Sequence, residues 1–111
     1  MTNAFSAGLL GEWQAARYLK HQGMQILAKR FRTAHGEIDL IARDGETLVF
    51  IEVKSRPRGK MGEGAQAVNR EKQGHLRYAA QVYLQSHPAH RVRFDVVEIT
   101  ASGLRHLKNA F

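Results

Sequence analysis

The stretch Gly36-Glu37-Ile38-Asp39-Leu40-Ile41-Ala42-Arg43-Asp44-Gly45-Glu46-Thr47-Leu48-Val49-Phe50-Ile51-Glu52-Val53-Lys54 decides how this chain folds. Two apolar, β-branched runs flank Asp44-Gly45, and Asp-Gly between such runs is the strongest short-range hairpin signal. With Asp44 and Gly45 as the turn, Arg43 pairs with Glu46, Asp39 with Phe50 and Glu37 with Glu52. Alternation then places Ile38, Leu40, Ala42, Val49, Ile51 and Val53 on one apolar core face. The opposite face carries Ile41, Leu48 and Phe50 near the turn and Glu37, Asp39, Glu52 and Lys54 farther along. Asp39 and Glu52 become diagonal neighbours, roughly 7–8 Å apart at the backbone and able to share an ion at their tips. A slip of one residue would turn Asp39 away from Glu52.

Three carboxylates and one amine on a small patch beside apolar side chains repel one another unless a positive charge lies between them. Lys54 supplies one such charge, and a divalent cation would supply more. Carboxylate oxygens at this spacing suit Mg²⁺ or Mn²⁺, which take oxygen ligands and keep several waters. The chain has no cysteine, and no histidine cluster stands out, so zinc is disfavoured. Taken alone, Glu52-Val53-Lys54 reads as a solvated ion-pair arrangement on a strand. Asp39 on the same face, together with Glu12 in the preceding helix, is what turns the pattern toward a site.

Upstream, residues Ser6 to Gln22 read as a helix with Ser6 as N-cap and Gly23 as the residue that ends it. Its apolar stripe runs Phe5, Leu9, position 12, Ala16 and Leu19, and position 12 is Glu12. Gly8, Gly11, Ala15 and Ala16 flank that acid and allow another element to approach closely. Met24 to Arg32 reads as a strand, and Thr33 to Gly36 as a link. Downstream, residues 55 to about 66 form a basic, Gly-rich mobile loop carrying Arg56, Arg58 and Lys60. A second helix covers Asn69 to Ser86, with Leu76, Ala79, Ala80 and Tyr83 on its buried side, and His87-Pro88 ends it. Arg91 to Thr100 alternates as a strand, and Leu104 to Phe111 leaves room for a further edge strand.

The fold class that results is α/β: an αβββαβ core in one domain over residues 1–111, with a mixed central sheet flanked by two helices. The 111 residues leave no space for a second core. A hydrophobic share of 43% excludes a disordered tail. No apolar run approaches the roughly 18 residues needed to span a bilayer, and no signal peptide is evident, so a cytoplasmic protein without a membrane partner is expected. The 17 Lys and Arg against 10 acids, a net charge of +7, favour a polyanionic partner, above all nucleic acid.

These residues resemble the PD-(D/E)XK nuclease superfamily, with its restriction-endonuclease-like core, and within it the archaeal Holliday junction resolvases. More narrowly, the chain is similar to the small bacterial YraN-like (UPF0102) family, to which an endonuclease activity is ascribed by likeness. Gly8 to Leu19, Gly36 to Ile41, Val49 to Lys54, Lys72-Gln73 and Asn109-Ala110-Phe111 carry the resemblance, which covers nearly the whole chain. It implies Asp39 and Glu52 as metal ligands with the Val53 carbonyl as a third, and Glu12 as an outer or second-metal ligand. Lys54 would orient or activate water, and Gln73 would assist from the second helix. One departure is that Ile38, not proline, precedes Asp39.

The expected activity is Mg²⁺-dependent hydrolysis of DNA phosphodiester bonds, selective for structure rather than sequence because no base-reading motif is evident. Arg56, Arg58, Lys60, Arg70, Lys72 and Arg77 would contact backbone phosphates. Rival readings are a non-catalytic nucleic-acid-binding module on the same fold and an assembly factor active only within a complex. RNA is an alternative substrate, and the relatives' two-site cutting makes a homodimer an open option. Glu37 reads as an ion-pair partner of Arg32 rather than a ligand. The spacing His87-x-x-His90 imitates a metal motif, but Pro88 between them favours a turn. His35 and His106 read as loop or strand residues. Trp13 and Tyr83 are expected to pack and Tyr18 to be partly exposed, with no spacing that assigns any of them to base stacking.

Overall fold

The computed structural model describes residues 4–61 and 68–111, and side chains from residue 9 onward within them. The side chain of the predicted stripe residue Phe5 and residues 62–66 of the predicted loop therefore lie outside what is described. Helix α1 spans Ala4–His21, followed by strands β1 (Gln25–Arg32), β2 (Glu37–Asp44) and β3 (Thr47–Ser55). Helix α2 spans Arg70–Ser86, and strands β4 (Arg91–Thr100) and β5 (Gly103–Leu107) complete the chain. The five strands form one sheet in the order β1-β2-β3-β4-β5. β3 and β4 are parallel because α2 carries the chain back between them, and every other pair is antiparallel. This is the expected αβββαβ core, with the further edge strand present as β5.

Both faces of the sheet are covered. On one, α1 buries Ala15, Ala16 and Leu19 against Leu40, Ala42, Val49, Ile51 and Val97. On the other, α2 packs Leu76, Ala79, Ala80 and Tyr83 against Ile41, Leu48, Phe50, Phe94 and Val96. The four α2 residues are the four that helical periodicity selects. The α2 start is fixed by Asn69, whose side-chain oxygen accepts from the Lys72 N–H at 2.9 Å, an N-cap worth about 1 kcal/mol.

The α1 ends behave differently. Gly23 closes the helix as predicted: at φ +90 its N–H donates to the Lys20 carbonyl and that of Met24 to the Leu19 carbonyl. Leu19 and Met24 are buried in the same cluster, as a Schellman closure requires. The start is two residues earlier than expected, at Ala4, so Ser6 lies inside the helix and is not its N-cap. The core stripe is also rotated at this end. Leu9 is 43% exposed and Trp13 53%, correcting the expectation that both pack. The inward positions are Gly11, Ala15, Ala16 and Leu19, because α1 runs so close to the end of β3 that a Cβ on Gly11 would lie 2.7 Å from that of Ser55.

The hairpin register differs by two from the one expected. Asp44 pairs with Thr47 and Leu40 with Ile51, so the loop residues are Gly45-Glu46 rather than Asp44-Gly45. Gly45, at φ +61, takes the first central position, where a type II′ turn requires glycine. Asp44 stays in the strand, where its carboxylate receives Arg93 Nη1 at 3.1 Å. Because the change is an even number, the apolar side chains within the paired stretch from Leu40 to Ile51 keep their predicted faces, and Ile38 does not. The consequence is that Asp39 stands opposite Glu52 rather than diagonal to it. Ladder pairing stops at Leu40–Ile51, and Ile38, beyond that point, packs with the α2-side cluster instead of with Leu40.

Candidate functional site

The site forms where β2 and β3 cease to pair. Asp39 Oδ2 accepts a hydrogen bond from the Val53 N–H at 2.8 Å, so a side chain replaces the ladder at this level. Gly36 allows it: a Cβ there would collide with the His75 carbonyl of α2, so only glycine lets the start of β2 lie against the helix. Glu52, on the next strand, is 5% exposed. Its Oε1 lies 3.5 Å from Lys54 Nζ and 3.8 Å from Lys72 Nζ. Its Oε2 is buried and has no hydrogen-bond partner among the described residues.

A buried carboxylate and a half-buried one, incompletely compensated, interact strongly. Burial and the charge of Glu52 push the Asp39 carboxyl up to about 7, opposed by the Val53 N–H and by Lys72 and reinforced by Glu12. The pair thus holds a proton more readily than ordinary acids do, as expected for like charges in a desolvated place. A hard cation would relieve both the repulsion and the orphaned oxygen. Mg²⁺ and Mn²⁺ fit a pair of carboxylates completed by water. Among the described residues no group of three or more His, Cys, Asp or Glu side chains is arranged as a metal cage.

The remaining expected residues divide. Glu12 lies near enough to raise Asp39, but its own carboxylate is engaged by Arg30 Nε at 2.8 Å. Sequence reasoning missed Arg30, a strand residue at φ +51, a left-handed conformation that costs roughly 1–2 kcal/mol for a side chain of this kind. Glu37 pairs with Arg32 at 3.4 Å as anticipated. Gln73 donates its amide to the Val68 carbonyl at 3.0 Å, which ties the first turn of α2 to the segment before it. Lys72 reaches Glu52, whereas Arg77 lies over the rings of Phe94 and Phe111, at 4.9 and 5.7 Å. Arg58, Lys60 and Arg70 are exposed, and Arg56 is half-buried with its N–H on the Ile99 carbonyl.

Of the histidines, His87 stacks on Tyr83 with ring centroids 4.0 Å apart, and its backbone N–H caps the end of α2. His35 meets the edge of Tyr78. His106 is part of a second buried acid centre that the sequence reading passed over. Asp95, fully buried, receives Arg93 through Nε at 2.9 Å and Nη2 at 3.0 Å. His106 Nε2 donates to it at 2.7 Å and the Asn109 N–H at 2.9 Å. Burial alone would raise the Asp95 carboxyl, but these donors hold it below its ordinary value. The available signal was an acid in the middle of an apolar strand, preceded by Arg93 two positions earlier on the same face.

Fold and site together define a small α/β protein with a mixed five-stranded sheet and an under-compensated acid pair at the fork between two strands. The chain belongs to the uncharacterised protein family UPF0102, whose model matches residues 11–99. It is 46% identical over 112 aligned residues to a UPF0102 protein of Nitrobacter winogradskyi, covering 97% of this chain and 93% of that one. It is 45% identical to a UPF0102 protein of Herminiimonas arsenicoxydans, covering 93% and 84%. A UPF0102 protein of Syntrophus aciditrophicus is 44% identical, covering 90% and 80%. Among the described residues no helix is long and apolar enough to cross a membrane.

Proposed function

We propose that the chain is a Mg²⁺-dependent endonuclease that hydrolyses DNA phosphodiester bonds in branched or junction structures, acting in the cytoplasm. The observation that carries this reading is the convergence of Asp39 and Glu52 beside Lys54 and Lys72, with one carboxylate oxygen left buried and unpartnered. Asp39, Glu52 and the Val53 carbonyl would hold the ion, with Glu12 behind them. When bound, Mg²⁺ supplies a Lewis acid for the phosphoryl oxygen and lowers the pKa of water.

The chain's own residues do the rest. The Val53 N–H holds the Asp39 carboxylate in place, which limits the reorganisation needed when a substrate arrives. Lys54, a compact point charge, stabilises the attacking oxygen or the negative charge developing at phosphorus. Lys72 presents a second ammonium from α2 and suits a non-bridging phosphate oxygen. Arg56, Arg58 and Lys60, which follow β3, and Arg70, at the start of α2, would add affinity that reads no sequence.

One observation favours the non-catalytic alternative, a nucleic-acid-binding module: the third acid, Glu12, is already neutralised by Arg30. A panel of labelled branched and linear DNAs, incubated with Mg²⁺ or Mn²⁺, separates the two. Cleavage of branched substrates that disappears in Lys54→Ala supports the enzyme. Tight binding without cleavage, in a protein that takes up no Mg²⁺, supports the module. Products formed equally by Lys54→Ala would come from a contaminant.

A further inference from the structure

The strip of α1 turned away from the sheet combines exposed apolar and basic side chains. Leu10 is 53% exposed, as is Trp13, the chain's single tryptophan. Leu10, Trp13, Arg17 and Lys20 follow at steps of three, four and three, so they form one stripe along the helix, about 15 Å long at 1.5 Å per residue. The Arg17 guanidinium lies over the indole at 5.5 Å from the ring centroid. Trp13, Arg17 and Lys20 join His21 and Lys29 of β1 around a shallow cavity of about 340 Å³. No acid lines it. Gly11, between Leu10 and Glu12, lies against Ser55 and Val53 at the end of β3, so the stripe begins near the candidate site and leads away from it.

From this arrangement we infer that the Trp13 stripe is a docking track for a single strand of DNA, with a base stacked on the indole and phosphates on Arg17, Lys20 and Lys29. The inference deepens the proposed nuclease reading and rests on it for the choice of DNA. Charge complementarity selects the occupant. An aromatic surface interleaved with cations is how single strands are held without sequence preference. A second copy fits poorly, because a two-fold contact would set Arg17, Lys20 and Lys29 against themselves. A duplex also fits poorly, because its base faces are already stacked on one another. A track of this kind beside the acid pair would accept the unpaired arm of a branched or flapped substrate.

The single tryptophan gives a direct readout. Oligothymidylate titrated in divalent-free buffer at low salt should quench Trp13 fluorescence and bind about tenfold more tightly than a hairpin duplex of equal length. Trp13→Ala, followed by the anisotropy of a labelled oligonucleotide, should weaken binding about tenfold, the effect of losing one stacked base; Trp13→Phe should keep most of it. Arg17→Ala and Lys20→Ala should flatten the dependence of log K on log salt by about 0.7 for each phosphate contact removed. Unchanged melting curves show that each variant is folded.

Binding without quenching overturns the inference, as does a Trp13→Ala protein that binds like the parent. Tighter binding of oligouridylate overturns the assignment to DNA. A dimer in sedimentation that Trp13→Ala dissociates, with oligonucleotide affinity intact, assigns the stripe to self-association and overturns it too. No metal is present in these titrations. Quenching without any cleavage activity therefore removes only the enzymatic reading, and cleavage without quenching removes only this one.

Discussion

Among the described residues, the acid centre at Asp95 and the one formed by Asp39 and Glu52 are solved in opposite ways. Asp95 is enclosed by the Arg93 guanidinium, the His106 imidazole and the Asn109 N–H, and its carboxyl is held low. Asp39 has one backbone donor, faces Glu52, and is pushed up to about 7. Asp95 is fully buried and Asp39 half-buried, and desolvation acts to raise both carboxyls, so it does not explain why they end on opposite sides of the ordinary value. The difference is the number of donors that the fold delivers. A fully satisfied acid ties β4, β5 and the residues after β5 together, whereas a half-satisfied one stores repulsion that an incoming cation can release. The first arrangement serves stability, and the second is the one on which the proposed metal site rests.

Substitutions should sharpen that contrast. Asp95→Ala should have the largest effect, a loss of about 3–5 kcal/mol in urea unfolding, because the Arg93 guanidinium loses its buried counter-charge and the His106 ring N–H and Asn109 N–H lose their acceptor. At the other centre, Lys54→Ala should cost clearly less in urea unfolding, because Lys72 still faces Glu52, while lowering cleavage of a branched DNA at least about a hundredfold. Equal loss of stability in the two variants would erase the distinction between the clusters.

Asp39→Asn should act with the reverse sign to Asp95→Ala. With the folded carboxyl near 7 and the unfolded one near 3.8, the folded state binds protons more tightly. Its stability from this group is fully present below about pH 4 and is lost as pH rises toward and past 7. The variant should therefore be more stable than the parent at pH ~8 without divalent ions, on the order of 1–2 kcal/mol after allowance for solvent screening, and should match it at pH ~4. Added Mg²⁺ should raise the parent's melting temperature more at pH ~8 than at pH ~5.5, since at the lower pH a proton must leave first. Asp95, with its low carboxyl, contributes in the other direction: its share is present above the ordinary value near 3.8 and disappears on further acidification. The smallest effect should come from Glu37→Gln, whose pairing with Arg32 is long and exposed; thermal melts should shift by no more than about 1 kcal/mol.

Much of this was legible in the sequence, for reasons that are local. Leu76, Ala79, Ala80 and Tyr83 are spaced by the helical repeat, and Gly23 sits where a left-handed residue ends a helix. Between Leu40 and Ile51 the faces of β2 and β3 follow from alternation and are the same in either register, whereas Ile38, beyond the last ladder pair, lies on the other side. The turn itself was misread because Asp44 is retained in its strand by Arg93, 49 positions away, and no short-range rule sees that contact. Trp13 was misplaced for a similar reason: the inward side of α1 is set by how closely Gly11 must approach Ser55, not by which residues are largest. The Arg30–Glu12 pair and the Asp95 cluster also join residues far apart in sequence, and so needed the tertiary structure to be found.

The outermost strands have a consequence for how the protein behaves at high concentration. β1 carries a bulge between Ile26 and Ala28 and a left-handed residue at Arg30, and β5 is only five residues long. An irregular rim on one side and a short one on the other give a visiting strand little straight backbone to zip onto, which is how natural sheets discourage fibril growth. The twist that presents Arg30 to Glu12 thus also keeps the sheet from being extended by its neighbours.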